Sequence, residues 1–266
     1  MYTRFQLAKK YLHYYLTASN GKGHGIHSPF IFDFVKKVLN DKTAYPCFSL
    51  IEQKRKALLN NSTVIEVTDL GAGSAVIKTN NRIISVVAGS SLKSKKYAQL
   101  LFRMVRFYKP LTIIELGTSF GITSAYLALG NEADSTVFTC EGSGAIAAIA
   151  KQNFDSLALT NIQITEGDFG NTLPPLLKRL QTVNLAFIDG HHRKEPTLDY
   201  FAQLLNASTP ETILVFDDIH WSKDMEDAWA IIKQHPAVTL TIDLFFMSIV
   251  FFNTDINHKQ HVTIQF

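Results

Sequence analysis

The feature that most constrains this chain is a rhythm that begins at Leu111. From there, short runs of β-branched and apolar residues alternate with longer stretches of helical period. Strands are expected at Thr112–Leu116, Thr136–Cys140, Ile162–Thr165, Leu185–Ile188 and Ile213–Phe216. Helices at Ile122–Leu129, Gly144–Ser156, Thr172–Leu180 and Pro196–Asn206 fill the intervals. Such alternation implies right-handed βαβ crossovers and a parallel sheet covered on both faces. The runs LAFI and ILVF carry no polar alternation and suit strands buried on both sides. A helix at Asp224–Gln234 then ends the rhythm. Val238–Leu244 and Phe246–Asn253 leave no room for a helix between them, so they form an antiparallel hairpin. The expected fold is α/β and Rossmann-like, with seven strands: five parallel, then a terminal antiparallel hairpin.

The first 110 residues read differently. Phe5, Ala8, Tyr11, Leu12, Tyr15 and Leu16 fall at helical spacing and predict an amphipathic first helix. Further helices are expected near Pro29, over Ser49–Leu59 and over Lys93–Tyr108, the last ended by Pro110. Residues 1–110 therefore read as a mainly helical extension or cap, and 111–266 as the domain that carries chemistry. Tyr11, Tyr14 and Tyr15 suit a core or a subunit interface better than a ligand box. His24 and His27 flank Gly25 in a loop and read as polar loop groups.

Composition excludes several classes. A formal charge of +3 on 266 residues is too small to suggest a nucleic-acid partner. Two cysteines, Cys47 and Cys140, make neither a disulfide framework nor a metal site. The apolar run Leu244–Phe252 is too short to span a bilayer as a helix, and no signal-peptide stretch stands at the N-terminus. A cytoplasmic protein without membrane association is expected, and a homo-oligomer is compatible with everything in the sequence.

In an open α/β sheet, ligands bind outside the carboxyl ends of the strands. The first strand is followed by Gly117-Thr118-Ser119-Phe120-Gly121, where two glycines let the chain turn and bring a ligand against a helix start. The second ends in Cys140-Glu141, an acid placed for ribose hydroxyls. The third is followed by Glu166-Gly167-Asp168-Phe169, a carboxylate acceptor and an aromatic face. Together these predict a nucleoside site. Asp69-Leu70-Gly71-Ala72-Gly73-Ser74 offers a rival glycine loop, but Ser74–Asn81 is a poor helix and the strand-like run Arg82–Ala88 ends without an acid. A surface turn or part of a lid suits it better.

The motifs ELGTSFGIT, CEG and EGDF resemble the first three motifs of the class I S-adenosylmethionine-dependent methyltransferases, and Leu111–Phe266 is similar to the catechol O-methyltransferase-like enzymes. The resemblance implies that Gly117, Thr118, Ser119, Gly121 and Thr123 line the methionine part of S-adenosylmethionine. It puts Glu141 on the ribose and Asp168 with Phe169 by the adenine. Glu115 is then the strand acid that orders the glycine loop. The segment HGIHSPFIFDFV is also similar to extensions on bacterial methyltransferases.

The fourth strand ends at Asp189-Gly190-His191-His192, and the fifth at Asp217-Asp218-Ile219-His220-Trp221. If these ends lie side by side, Asp189, Asp217 and Asp218 converge and repel unless a cation compensates. Mg²⁺, which takes oxygen ligands, would resolve the repulsion, lower an acceptor hydroxyl's pKa and orient its oxygen. In the similar enzymes the ligands are an Asp after strand four and an Asp-Asn pair after strand five, so Asp218 departs from the pattern. The family's base, usually Lys, corresponds to His192, with Asp189 beside it; His191 and His220 are rivals, and Trp221 could wall an acceptor pocket. A second metal reading makes the histidines ligands for Zn²⁺ or Fe²⁺ with carboxylates completing the site. The leading expectation is O-methylation of a small-molecule hydroxyl such as a vicinal diol, catechol or sugar. An NAD(P)-dependent oxidoreductase is disfavoured by the missing GxGxxG and by the terminal hairpin. A non-catalytic module on the same fold is the third reading.

Overall fold

The computed structural model describes residues 1–23, 28–67, 80–256 and 258–266. His24, His27 and the Asp69–Ser74 loop lie outside the described residues. Helix α1 (Arg4–Thr17) starts at a capping box in which Thr3 and Gln6 satisfy each other's backbone N–H groups. Helix α2 (Pro29–Phe34) starts at Ser28 with proline in its first turn and runs into a π-helical turn at Val35–Leu39. Next come α3 (Pro46–Leu59), the short strands β1 (Val64–Glu66) and β2 (Asn81–Ile83), α4 (Ile84–Ser91) and α5 (Lys95–Tyr108). Lys109, at φ 50°, ends α5 in the left-handed conformation just before Pro110.

The alternating region follows the sequence closely. It runs β3 (Thr112–Leu116), α6 (Ile122–Gly130), β4 (Thr136–Glu141), α7 (Gly144–Ser156), β5 (Ile162–Glu166) and α8 (Phe169–Leu180). It continues with β6 (Val183–Ile188), α9 (Lys194–Asn206), β7 (Ser208–Asp217), α10 (Lys223–Gln234), β8 (Leu240–Asp243), β9 (Met247–Phe251) and β10 (Gln260–Thr263).

The chain divides into two compact units, one of Met1–Asp41 with Leu180–Phe266 and the other of Lys42–Arg179. The first 110 residues are therefore shared between the units. In the contiguous unit, β3, β4 and β5 pair in parallel in that order, with Leu116 beside Cys140 and Glu141 beside Glu166. Phe102, Phe120, Ile122, Tyr126 and Phe154 pack a buried core beneath them. In the other unit the strand order is β10-β8-β9-β7-β6. Here β6 and β7 are parallel, and the β8–β9 pair is the expected antiparallel hairpin, with β9 laid against β7. Tyr14 of α1 is buried, and its neighbour Tyr11 meets the Phe245 ring edge-on at 5.1 Å. The opposite face of α1, with Phe5, Leu12 and Leu16, stays exposed. No helix of the described residues is long and apolar enough to cross a membrane.

Two elements correct the sequence reading. Of the strand-like run Arg82–Ala88 only Arg82 and Ile83 pair with β1, after Asn81; from Ile84 the chain is helical. Ile84, Val87 and Ala88 fall one helical turn apart and are all buried, so packing overrides their β propensity. The second is β10, which pairs parallel to β8 as an additional strand beyond the seven expected. Its sequence, QHVT, is too short and polar to announce a strand.

Helices α5 and α6 approach closely at Gly130, where an added Cβ would lie 2.7 Å from both Cβ and Cγ1 of Val105. Gly130→Ala should therefore destabilise the protein by about 1–3 kcal/mol, the usual cost of overpacking. Urea denaturation checks this, and an unshifted midpoint would contradict the packing.

Candidate functional site

The end of β3 is organised around Glu115, which is fully buried. Its Oε2 accepts hydrogen bonds from Ser124 of α6 and from Thr139 of β4, the latter at 2.6 Å. Thr139 in turn shares a 2.6 Å bond with the hydroxyl of Thr118 in the glycine loop. One carboxylate thus ties a strand end, its neighbour strand, the first turn of α6 and the loop. Ser124 and Thr139 were not singled out from sequence, because hydroxyl residues inside a helix and a strand carry no motif.

The loop needs its glycines for two reasons. Gly117 and Gly121 stand at φ 106° and 79°, a region that favours glycine. Beneath Gly121, an added Cβ would meet the Phe154 ring of α7 at 2.4 Å. Ser119 adopts φ 49° between them, and its N–H donates to Glu141 Oε2 at 2.8 Å. The Ser143 N–H donates to Glu141 Oε1 at 3.0 Å. Two backbone N–H groups, one to each oxygen, thus fix the Glu141 carboxylate in place.

Thr118 and Thr123 are buried, and Ser119 bonds at 2.8 Å to Ser91 at the end of α4. That brings the region before residue 110 against the loop, which no sequence signal announced. Asp168 caps α8: its Oδ1 accepts from Gly170 N–H at 2.8 Å, and Phe169 is buried at the start of that helix.

The second cluster belongs to the other unit. Ile188 of β6 pairs with Phe216 of β7, so Asp189 and Asp217 follow neighbouring parallel strand positions. Asp189, His192 and Asp217 each offer a ligand atom, and these atoms all lie within 4.8 Å of one another. His192 Nε2 is 3.4 Å from Asp189 Oδ1. Asp217 is buried at 1% exposure. Asp218, at φ 52°, donates its N–H to Phe246 O and is not a member of that group. The donor set can hold a divalent cation, with His192 standing where three carboxylates were expected.

The rival histidines are engaged elsewhere. His191 Nδ1 bonds to the buried Tyr200 hydroxyl. His220 uses both ring nitrogens, Nε2 to Asp243 at 2.9 Å and Nδ1 to Glu226 at 3.1 Å, with the ring stacked on Phe245. Glu226 also accepts from Tyr2 and Lys10, which fastens α1 to α10. Trp221 turns back onto Asp218 and accepts from the Tyr2 N–H.

Residues 114–219 match a family model described as a methyltransferase domain. A catechol O-methyltransferase from Niastella koreensis is 31% identical over 126 residues, which cover 47% of this chain and 55% of that protein. The match thus spans about half the length of this relative. An O-methyltransferase from Bacillus cereus in complex with SAH superposes with a TM-score of 0.55 at 20% identity, over 82% of this chain and 96% of that one. An SAH-bound methyltransferase from Podospora anserina gives a TM-score of 0.60 at 13% identity, over 95% and 98%. Residues 114–219 are thus similar to a methyltransferase domain, and the superpositions show a Rossmann-like fold shared with these methyltransferases.

Burial alone would lower the His220 pKa, but Asp243 and then Glu226 outweigh it, and the net shift is upward. A raised folded-state pKa contributes stability that is complete below the unfolded value of about 6.5 and is lost as pH rises through the folded value. Wild type should therefore exceed His220→Gln in Tm by more at pH 6 than at pH 9. A gap that does not change with pH would contradict the charged pairing.

Proposed function

We propose that this chain, with a methyltransferase domain over residues 114–219, is an S-adenosylmethionine-dependent O-methyltransferase acting on a small hydroxyl compound in the cytoplasm. The observation that carries this reading is the Glu141 carboxylate, held at both oxygens by the Ser119 and Ser143 N–H groups. S-adenosylmethionine supplies a methyl group already activated on its sulfonium. The chain's task is then to hold cofactor and acceptor and to make the acceptor oxygen nucleophilic.

We assign Glu141 to the ribose, and Gly117, Thr118, Ser119, Gly121 and Thr123 to the methionine part. Asp168 and Phe169 go to the adenine, and Glu115 to the support of the loop. Glu141 is oriented by the two N–H groups, while Thr118 is held by the Glu115–Thr139 chain. Asp189 and His192 serve the acceptor hydroxyl, orienting it and drawing on its proton. A divalent cation held with them by Asp217 would add Lewis acidity. An acceptor with two adjacent oxygens, such as a catechol, vicinal diol or sugar, matches a cluster of this kind. Residues 1–110 are assigned as a mainly helical extension or cap, and 111–266 as the methyltransferase domain.

Calorimetric titration with S-adenosylhomocysteine tests the reading. Micromolar binding is expected, weakened about 10–100-fold in Glu141→Ala, the loss typical of a hydrogen bond to a charged group. Heat with NADH and none with S-adenosylhomocysteine would overturn the proposal. Asp189→Ala and His192→Ala should keep cofactor affinity and lower methyl transfer to a catechol or sugar panel by about 100-fold or more. Weakened cofactor binding in those two variants would reassign the residues.

A further inference from the structure

The structure assigns His192 as a metal ligand, and so reads Asp189, His192 and Asp217 as a site for a borderline transition cation such as Zn²⁺ or Co²⁺ rather than a three-carboxylate Mg²⁺ site. This deepens the proposed function, on which it rests for the role of the cluster in handling the acceptor.

Three features carry it. First, the convergent group is mixed: one imidazole and two carboxylates with ligand atoms within 4.8 Å of one another, Asp218 not among them. Second, the chain bends to produce it. His191 and His192 are consecutive left-handed residues, at φ 62° and 37°, and the turn sends the two rings to different places. His191 goes to the Tyr200 hydroxyl, and His192 goes to Asp189 at 3.4 Å. Third, Asp217 is buried, and its carboxylate lies close enough to that of Asp189 to demand a compensating positive charge.

The donor chemistry then selects the ion. Mg²⁺ demands near-octahedral oxygen coordination and sheds water reluctantly. An imidazole nitrogen suits Zn²⁺, Co²⁺ and Fe²⁺ and gives Mg²⁺ little. A nitrogen committed to a cation cannot also take a proton from the acceptor, so with the cation bound His192 acts as a ligand, and the proton-drawing role proposed for it above then passes to Asp189.

The test uses the full chain stripped with a chelator and titrated calorimetrically with Zn²⁺, Co²⁺ and Mg²⁺ in turn. Zn²⁺ and Co²⁺ should bind on the order of 100-fold more tightly than Mg²⁺. His192→Ala should cut the Zn²⁺ and Co²⁺ affinities by about 10–100-fold and shift the Mg²⁺ affinity less than about threefold. Asp218→Asn should leave all three unchanged. The ranking on the unaltered protein needs no variant, so misfolding of His192→Ala cannot mask it. Equal affinity for Mg²⁺ and Zn²⁺, a loss that follows Asp218→Asn instead of His192→Ala, or no binding of any cation would each overturn the inference. S-adenosylhomocysteine titrated with chelator present separates the two readings. Cofactor heat without cation heat sinks the metal site alone, and cation heat without cofactor heat sinks the proposed function alone.

Discussion

A carboxyl group with no access to water sits at the end of β3, and the geometry of the glycine loop depends on it. A polar group buried without a hydrogen-bond partner costs about 1–3 kcal/mol. Glu115 limits that cost by accepting from Ser124 and Thr139. Those donors belong to α6 and β4, so satisfying one buried acceptor fixes the distance between a helix and a strand. Thr139 passes the constraint on to Thr118, and the loop that follows hands it to Glu141 through the Ser119 N–H. The residue that meets solvent is therefore positioned by one that never does.

The strand ends also hold strain. Ser119, His191, His192 and Asp218 are all non-glycine residues with positive φ, each of which costs about 1–3 kcal/mol in an isolated chain. Rigid strands on either side maintain them: β3 and β4 around Ser119, β6 and β7 around the other three. At Ser119 the return is an N–H aimed at Glu141, and at His191–His192 it is the parting of two imidazoles. Strain of this kind has a purpose where a side chain must point somewhere its strand would not send it.

The alternating region was legible because burial on both faces leaves an unbroken apolar run for each strand and a helical period for each crossover. β3 and α7 fall where the sequence placed them, at Thr112–Leu116 and Gly144–Ser156. Illegibility had definite causes. α4 carries Ile84, Val86 and Val87, and only its packing shows it to be a helix. β10 borrows its order from β8, and its own four residues lack a strand signal. For the site, acids at strand ends were visible, while the hydroxyls of Ser91, Ser124 and Thr139 were not, since serine and threonine occur everywhere. Among the histidines, the resemblance favours His192, and the sequence alone leaves His191 and His220 as rivals. Tyr200, Glu226 and Asp243 distinguish them, and those residues lie 6–23 positions away along the chain.

The two compact units are threaded differently, and that has a consequence for synthesis on the ribosome. Residues 42–179 form one continuous stretch, whereas the other unit joins 1–41 to 180–266. Tyr14 donates to the carbonyl of Ile264, and Ser19 and Gln265 bond backbone to backbone. The glycine-loop unit can thus complete its internal contacts while the chain is still emerging, N-terminal segments generally folding first. The unit with the Asp–His cluster must wait for its last strand. Until then α1 lacks the partners that Tyr11 and Tyr14 meet at Phe245 and Ile264, and its apolar side chains stay open to other contacts on both faces.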